Sequence, residues 1–128
     1  MEPVDQTTPT NCFQACLASI LELPIADVPD VMNAADLPTP SHWLWPLQDW
    51  LQTLGLGVLC AVPQDPDFAR FHSNAWLIAA GHSWREHEGH AVVWRDGAMV
   101  HDPHQARGGL RGEPREFYFF YLLDPADR

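Results

Sequence analysis

Four residues of this chain could share the work of opening an amide bond: Gln6, Cys12, His90 and Asp102. Cys12 stands at the head of a stretch in which Phe13, Cys16, Leu17, Ile20 and Leu21 recur at helical spacing, so one face of a helix goes to the core. Asn11, just before it, is expected to be the N-cap, its side-chain oxygen accepting a free N–H of the first turn. A thiol at the start of a helix lies beside the positive end of the helix dipole, where thiolate is favoured over thiol. Cys12 is therefore the candidate nucleophile, with a pKa expected below that of a free cysteine. His90 opens one arm of a hairpin and Asp102 closes the other, which sets them nearly opposite at its open end. A carboxylate there is expected to accept Nδ1–H of the imidazole and leave Nε2 to deprotonate the thiol. Gln6 can aim its amide N–H at the oxyanion together with the backbone N–H of Cys12, and one such donor contributes roughly 3–4 kcal/mol.

The elements that must hold these groups can be read from the same sequence. The first helix spans about 11–22 and is stopped by Pro24. Residues 24–40 carry Pro24, Pro29, Pro38 and Pro40 and form a loop with one short helical turn near 30–35. Ser41 is placed to cap a second helix, whose apolar stripe is Trp43, Leu44, Leu47, Trp50, Leu51 and Leu54; Pro46 belongs in its first turn and Gly55 ends it. The period then changes. Strands are expected at 57–62, 75–80, 90–95, 98–102 and 116–123, and Asp96-Gly97 between two apolar runs is a strong hairpin signal. Two helices followed by five strands with short connections give one α+β domain over residues 1–128, its helices packed on one antiparallel sheet.

Composition narrows the partners. The chain of 128 residues is 46% apolar, with three cysteines in no disulfide pattern, no apolar run long enough for a membrane span and no signal-peptide pattern, so a reducing cytoplasm is expected. There is no lysine, and the first arginine is Arg70, so residues 1–69 hold nine carboxylates and no basic side chain. A net charge of −10 argues against nucleic acid as a partner and suits a peptide or protein substrate, a basic one included. Much of the charge also serves solubility.

The order Gln6, Cys12 six positions on, a helix, His90 at the start of an apolar strand and Asp102-Pro103 at the end of the next resembles the bacteriocin-processing cysteine peptidases. These are papain-like domains that remove double-glycine leader peptides. The resemblance covers Gln6 to about Leu123 and implies a papain-like fold. It also implies an oxyanion-hole Gln6, a nucleophilic Cys12, a general base His90 and an orienting Asp102. The family usually has Asp-Cys-Gly where this chain has Asn11-Cys12-Phe13. The chemistry so implied is hydrolysis of a peptide or amide bond through an acyl-enzyme, with no cofactor.

Rival readings remain at this point. An acyl transferase or deamidase would use the same triad, and a non-catalytic domain of the same fold could use the cleft to hold a peptide. The cluster His82, His87, His90, His101 and His104, with Glu86 and Glu88, suggests a metal, but its spacing matches no metal motif. Cys16 and Cys60 read as core thiols. Trp43, Trp50 and Trp76 fit core positions, whereas Trp45 does not. Asn11 beside the nucleophile and Trp84 in the loop before His90 are expected to line the substrate, although Trp84 could equally be packing. Arg107-Gly108-Gly109 reads as a loop that lines the cleft or only connects strands.

Overall fold

The computed structural model describes residues 1–33, 43–64, 74–85 and 89–124. Ser41 as a helix cap, and Glu86, His87 and Glu88 of the histidine-rich loop, lie outside the described residues.

Helix α1 runs Cys12–Leu21 and ends where Glu22 turns left-handed at φ 57, two residues before Pro24. Short 3-10 turns follow at Ile25–Asp27 and Val31–Asn33. Helix α2 spans Leu44–Thr53, so Pro46 falls in its first turn, where a missing N–H costs nothing. Gly55, at φ 77, releases the chain into the sheet. Five strands follow: β1 Leu56–Ala61, β2 Leu77–His82, β3 Gly89–Arg95, β4 Ala98–His101 and β5 Glu116–Leu122. They form one antiparallel sheet in the order β1-β5-β2-β3-β4. The α+β architecture expected from the sequence is thus present, with helices grouped before strands.

Both sheet faces are covered. Phe13, Leu17, Leu47 and Leu51 of the helices pack with Ile78, Val93 and Tyr118 of the sheet. Each fully buried side chain of this size contributes about 1.5–3 kcal/mol. Leu77, Ala79, Val92 and Phe117 form a second cluster on the alternate positions, with Leu110 from the loop after β4 packed against it. The β1 edge is blunted by α2: Gln48 Oε1 accepts the Val58 N–H at 3.0 Å, and Gln48 Nε2 donates to the Leu56 carbonyl at 3.4 Å. One side-chain amide thereby makes the two hydrogen bonds that a neighbouring strand would make. Cys60 lies beyond that contact and is exposed, not a core thiol; Cys16 is fully buried. Trp43 is buried and Trp50 and Trp76 are half-buried, while Trp45 is exposed.

The hairpin between β3 and β4 turns at Asp96 and Gly97, whose φ values of 55 and 76 both suit the tight turn expected from Asp-Gly. Its ladder is not straight. Arg95 pairs with Ala98 and Trp94 with Met99, but Val93 pairs with His101, so Val100 is an extra residue in β4. Without that bulge the ladder would continue Val93 to Val100, Val92 to His101 and Ala91 to Asp102. Asp102 would then point to the face opposite His90. The bulge shifts it by one residue onto the His90 face, diagonal to His90 instead of across from it.

Residues 1–6 are held between α1 and the Asp102 turn. The Glu2 N–H donates to the Ser19 carbonyl at 3.0 Å, and the Val4 N–H to Ser19 Oγ at 2.9 Å. His101 Nε2 donates to the Val4 carbonyl, and the Gln6 N–H to the Pro103 carbonyl, each at 3.0 Å. Arg107 forms a two-toothed pair with Asp5, Nη1 to Oδ1 at 2.6 Å and Nη2 to Oδ2 at 2.8 Å, and its Nη1 also donates to the Asp102 carbonyl. That guanidinium ties the Gln6 segment to the Asp102 turn.

Candidate active site

Three separate parts of the chain meet at Cys12. Cys12, half-buried, and His90 line one cleft of about 680 Å³, whose walls include Thr10, Phe13, Gly81 and Tyr118. The Ala91 N–H is directed at the Cys12 sulfur, which fixes the start of β3 beside the start of α1. The N–H groups of Phe13 and of Cys12 itself also face the sulfur. These are donors that a helix start leaves unused.

Burial nevertheless dominates the thiol. It pushes the Cys12 pKa up, and the N–H groups of Ala91, Phe13 and Cys12, with the positive charge of Arg85, recover only part of that rise. The expectation of a thiol lowered by its place at the helix start is corrected: desolvation outweighs the N–H groups that face the sulfur.

His90 is 5% exposed, and its Nε2 lies 2.7 Å from Oδ1 of Asp102, itself 2% exposed. Its Nδ1 is buried with no hydrogen-bond partner. The expected roles of the two ring nitrogens are thus exchanged: Asp102 holds Nε2, and Nδ1 is left for the proton. Asp102 is itself tightly held. Oδ1 also accepts the His104 N–H at 2.9 Å, and Oδ2 accepts the Gly109 N–H at 2.7 Å. Burial alone would raise this carboxyl, but the two N–H donors and the His90 ring outweigh it, and its pKa falls below the ordinary carboxylate value. Asp102 is ionised and can only accept, so it fixes the His90 tautomer with hydrogen on Nε2.

Gln6 is buried at 9% exposure and reaches its neighbours through the 7–11 loop. Its Nε2 donates to the Thr8 carbonyl at 2.9 Å, which fixes the amide orientation, and Oε1 is buried without a partner. One hydrogen of Nε2 remains. Gln6 does not line the thiol cleft; it lines an adjoining cavity that shares Pro9 with it.

Asn11 makes no side-chain cap on α1. Its Oδ1 accepts the N–H groups of Thr7 and Thr8 at 3.0 and 2.9 Å, and its Nδ2 donates to Thr7 Oγ1 and Gln14 Oε1. It faces back, shaping the loop that carries Gln6, and is absent from the cleft wall. Trp84 is 65% exposed and donates Nε1–H to the Gly108 carbonyl at 2.9 Å. It lies with His90, Asp102, His104 and Gly109 around a small cavity of about 70 Å³ behind the triad, not in the thiol cleft.

Sequence reasoning missed Arg107, Gly109 and the backbone of His104 as supports of Asp102. Gly109, at φ 70, was marked only by the Gly-Gly pair; a Cβ there would be strained and would press on Met99 Sδ at 3.3 Å. Among the described residues no group of three or more His, Cys, Asp or Glu side chains is arranged to hold a metal ion. His82 instead meets Arg115 Nη1 at 3.0 Å. No helix of the described residues is long and apolar enough to cross a membrane. Protein-family models, curated proteins and solved structures offer no match to this chain.

Proposed function

We propose that this chain is a papain-like thiol hydrolase that cleaves a peptide or amide bond through an acyl-enzyme on Cys12. The observation that carries the reading is the His90 ring, held through Nε2 by an ionised Asp102 and left with a buried, unpartnered Nδ1, in a residue that lines the same cleft as Cys12. Nδ1 takes the Cys12 proton as sulfur attacks the carbonyl carbon. The negative charge that develops on oxygen is met by the N–H groups of Cys12 and Phe13 at the start of α1, which face the sulfur. The imidazolium then gives its Nδ1 proton to the departing amine nitrogen as the C–N bond breaks. Water attacks the thioester, passes its proton to Nδ1 and releases the acid, and the thiol is restored.

The acidic chain suits a basic peptide, and three free cysteines suit a reducing compartment such as the cytoplasm. The test is a panel of peptide esters and amides with mass spectrometry of the quenched protein. An acyl adduct on Cys12, absent from Cys12→Ala and accumulating in a pulse with esters, is expected. An adduct that forms equally in His90→Ala, or on Cys60 alone, refutes the reading.

A further inference from the structure

Arg107 stands in a left-handed backbone, φ 54, where glycine or asparagine is the usual occupant. Its side chain shows what the position gains. Nη1 and Nη2 meet both carboxylate oxygens of Asp5, and Nη1 also donates to the Asp102 carbonyl and, at 3.4 Å, to the His104 carbonyl. The Arg107 N–H closes the same turn on the His104 carbonyl at 3.0 Å. The loop so closed carries the two N–H groups that hold the Asp102 carboxylate, His104 on Oδ1 and Gly109 on Oδ2. Asp5 is fixed in its turn. The guanidinium draws its carboxyl below the ordinary value, and His101 Nε2 lies 3.5 Å from its Oδ1. The next residue, Gln6, donates its N–H to the Pro103 carbonyl at 3.0 Å. Asp5 and Arg107 are both about half-exposed, and an ion pair there adds little to stability, less than a left-handed non-glycine residue costs. Stability of the fold is therefore a weak reason for Arg107, and strained backbone of this kind gathers at functional sites.

We propose that Arg107, oriented by Asp5, is a positioning residue for the His90–Asp102 pair. It holds the 102–109 loop so that the His104 and Gly109 N–H groups meet the Asp102 carboxylate and that carboxylate meets His90 Nε2. The inference rests on the thiol-hydrolase reading. Arg107 is not in the wall of the thiol cleft, and it acts through Asp102. A guanidinium suits the task because it is planar. One fork takes the two Asp5 oxygens, and Nη1 still reaches the main-chain carbonyls of Asp102 and His104, an arrangement that a lysine ammonium does not hold at a fixed angle. Without the side chain the loop is closed by its backbone alone. The two N–H groups then hold the carboxylate less closely, and burial is left to act on Asp102.

Arg107→Gly tests this, because glycine accepts the left-handed backbone and only the side chain is removed. Cys12 should react with iodoacetamide about five-fold more slowly at neutral pH, as for the loss of one net hydrogen bond, while the far-UV circular dichroism spectrum is unchanged. Made in Asp102→Ala, the same substitution should cost nothing further, since there is no carboxylate left to position. Asp5→Ala should slow the wild-type reaction and leave that of Arg107→Gly as it is. In carbon-13 NMR the Asp102 carboxyl should titrate at a higher pH in Arg107→Gly than in wild type. A wild-type alkylation rate in Arg107→Gly, or an equal fold loss in the Asp102→Ala background, overturns the proposal. So does an Asp102 titration that stays at its wild-type pH. The carboxyl titration needs no reactive thiol. If Cys12 of the wild type is inert to iodoacetamide, the hydrolase reading fails, and the titration decides the positioning role by itself. Should Arg107→Gly not fold, the Asp102 titration in Asp5→Ala decides instead: a rise supports the proposal, and no rise overturns it.

Discussion

Replacing Asp102 by Asn separates charge from geometry at the triad. Oδ1 accepts two donors, His90 Nε2 at 2.7 Å and the His104 N–H at 2.9 Å, whereas Oδ2 accepts only Gly109 N–H at 2.7 Å. The Asn carbonyl therefore takes the Oδ1 place and its NH2 faces the Gly109 N–H. The His90 tautomer survives, and what is lost is the negative charge opposite the imidazolium. A hydrogen bond to a charged group contributes about 1.5–3 kcal/mol, which predicts a roughly ten- to hundred-fold slower reaction of Cys12 with iodoacetamide at neutral pH. An inverted tautomer would instead cost about 10⁴-fold. The opposed N–H groups at Gly109 should lower stability by about 1–3 kcal/mol. Acid unfolding checks the charge independently. The folded pKa of Asp102 is depressed, so its stabilisation is complete above the unfolded value of about 3.9 and disappears as pH falls through the lower folded value. Asp102→Asn should lack that part of the acid slope. A rate within two-fold of wild type would show that Asp102 only closes a turn, and a loss near 10⁴-fold would refute the two-donor argument.

Deletion of Val100 should straighten the hairpin, return Asp102 to the face opposite His90 and slow Cys12 alkylation as far as Asp102→Ala does, while circular dichroism keeps the sheet signal. Cys16→Ala should leave Cys12 reactivity intact and destabilise by on the order of 1 kcal/mol. Burial raises the Cys16 pKa well above that of a free thiol, so its share of stability is full below about pH 8.5 and lost at higher pH, and the variant should flatten the alkaline decline in urea midpoints. Gln48→Leu uncovers the Val58 N–H and Leu56 carbonyl on an edge strand, and light scattering should show self-association that wild type lacks.

Much of the site was legible because its signals are local. A helix of apolar spacing after Cys12, an Asp-Gly turn and a histidine opening an apolar strand each follow from neighbouring residues. The order β1-β5-β2-β3-β4 was not legible, since pairing β5 between β1 and β2 depends on contacts distant in sequence. Nor was the bulge: nothing in Ala98-Met-Val-His101 distinguishes the extra Val100, yet it sets Asp102 on the same sheet face as His90. Asn11 misled because a residue that can cap forward can also accept from N–H groups behind it, here those of Thr7 and Thr8. Arg107 was invisible as a support because its partner, Asp5, lies at the other end of the chain.

The central claim is that His90 is the base for Cys12, and the rate of Cys12 alkylation against pH in wild type and His90→Ala tests it directly. With His90 taking the thiol proton, wild type should become reactive well below about pH 8.5 and stay level through neutrality. With the ring removed, burial outweighs the N–H groups and Arg85 that favour the thiolate, and reactivity should appear only above the ordinary thiol value. A single titration at or above about pH 8.5 in both proteins would contradict the claim and leave Cys12 an ordinary buried thiol.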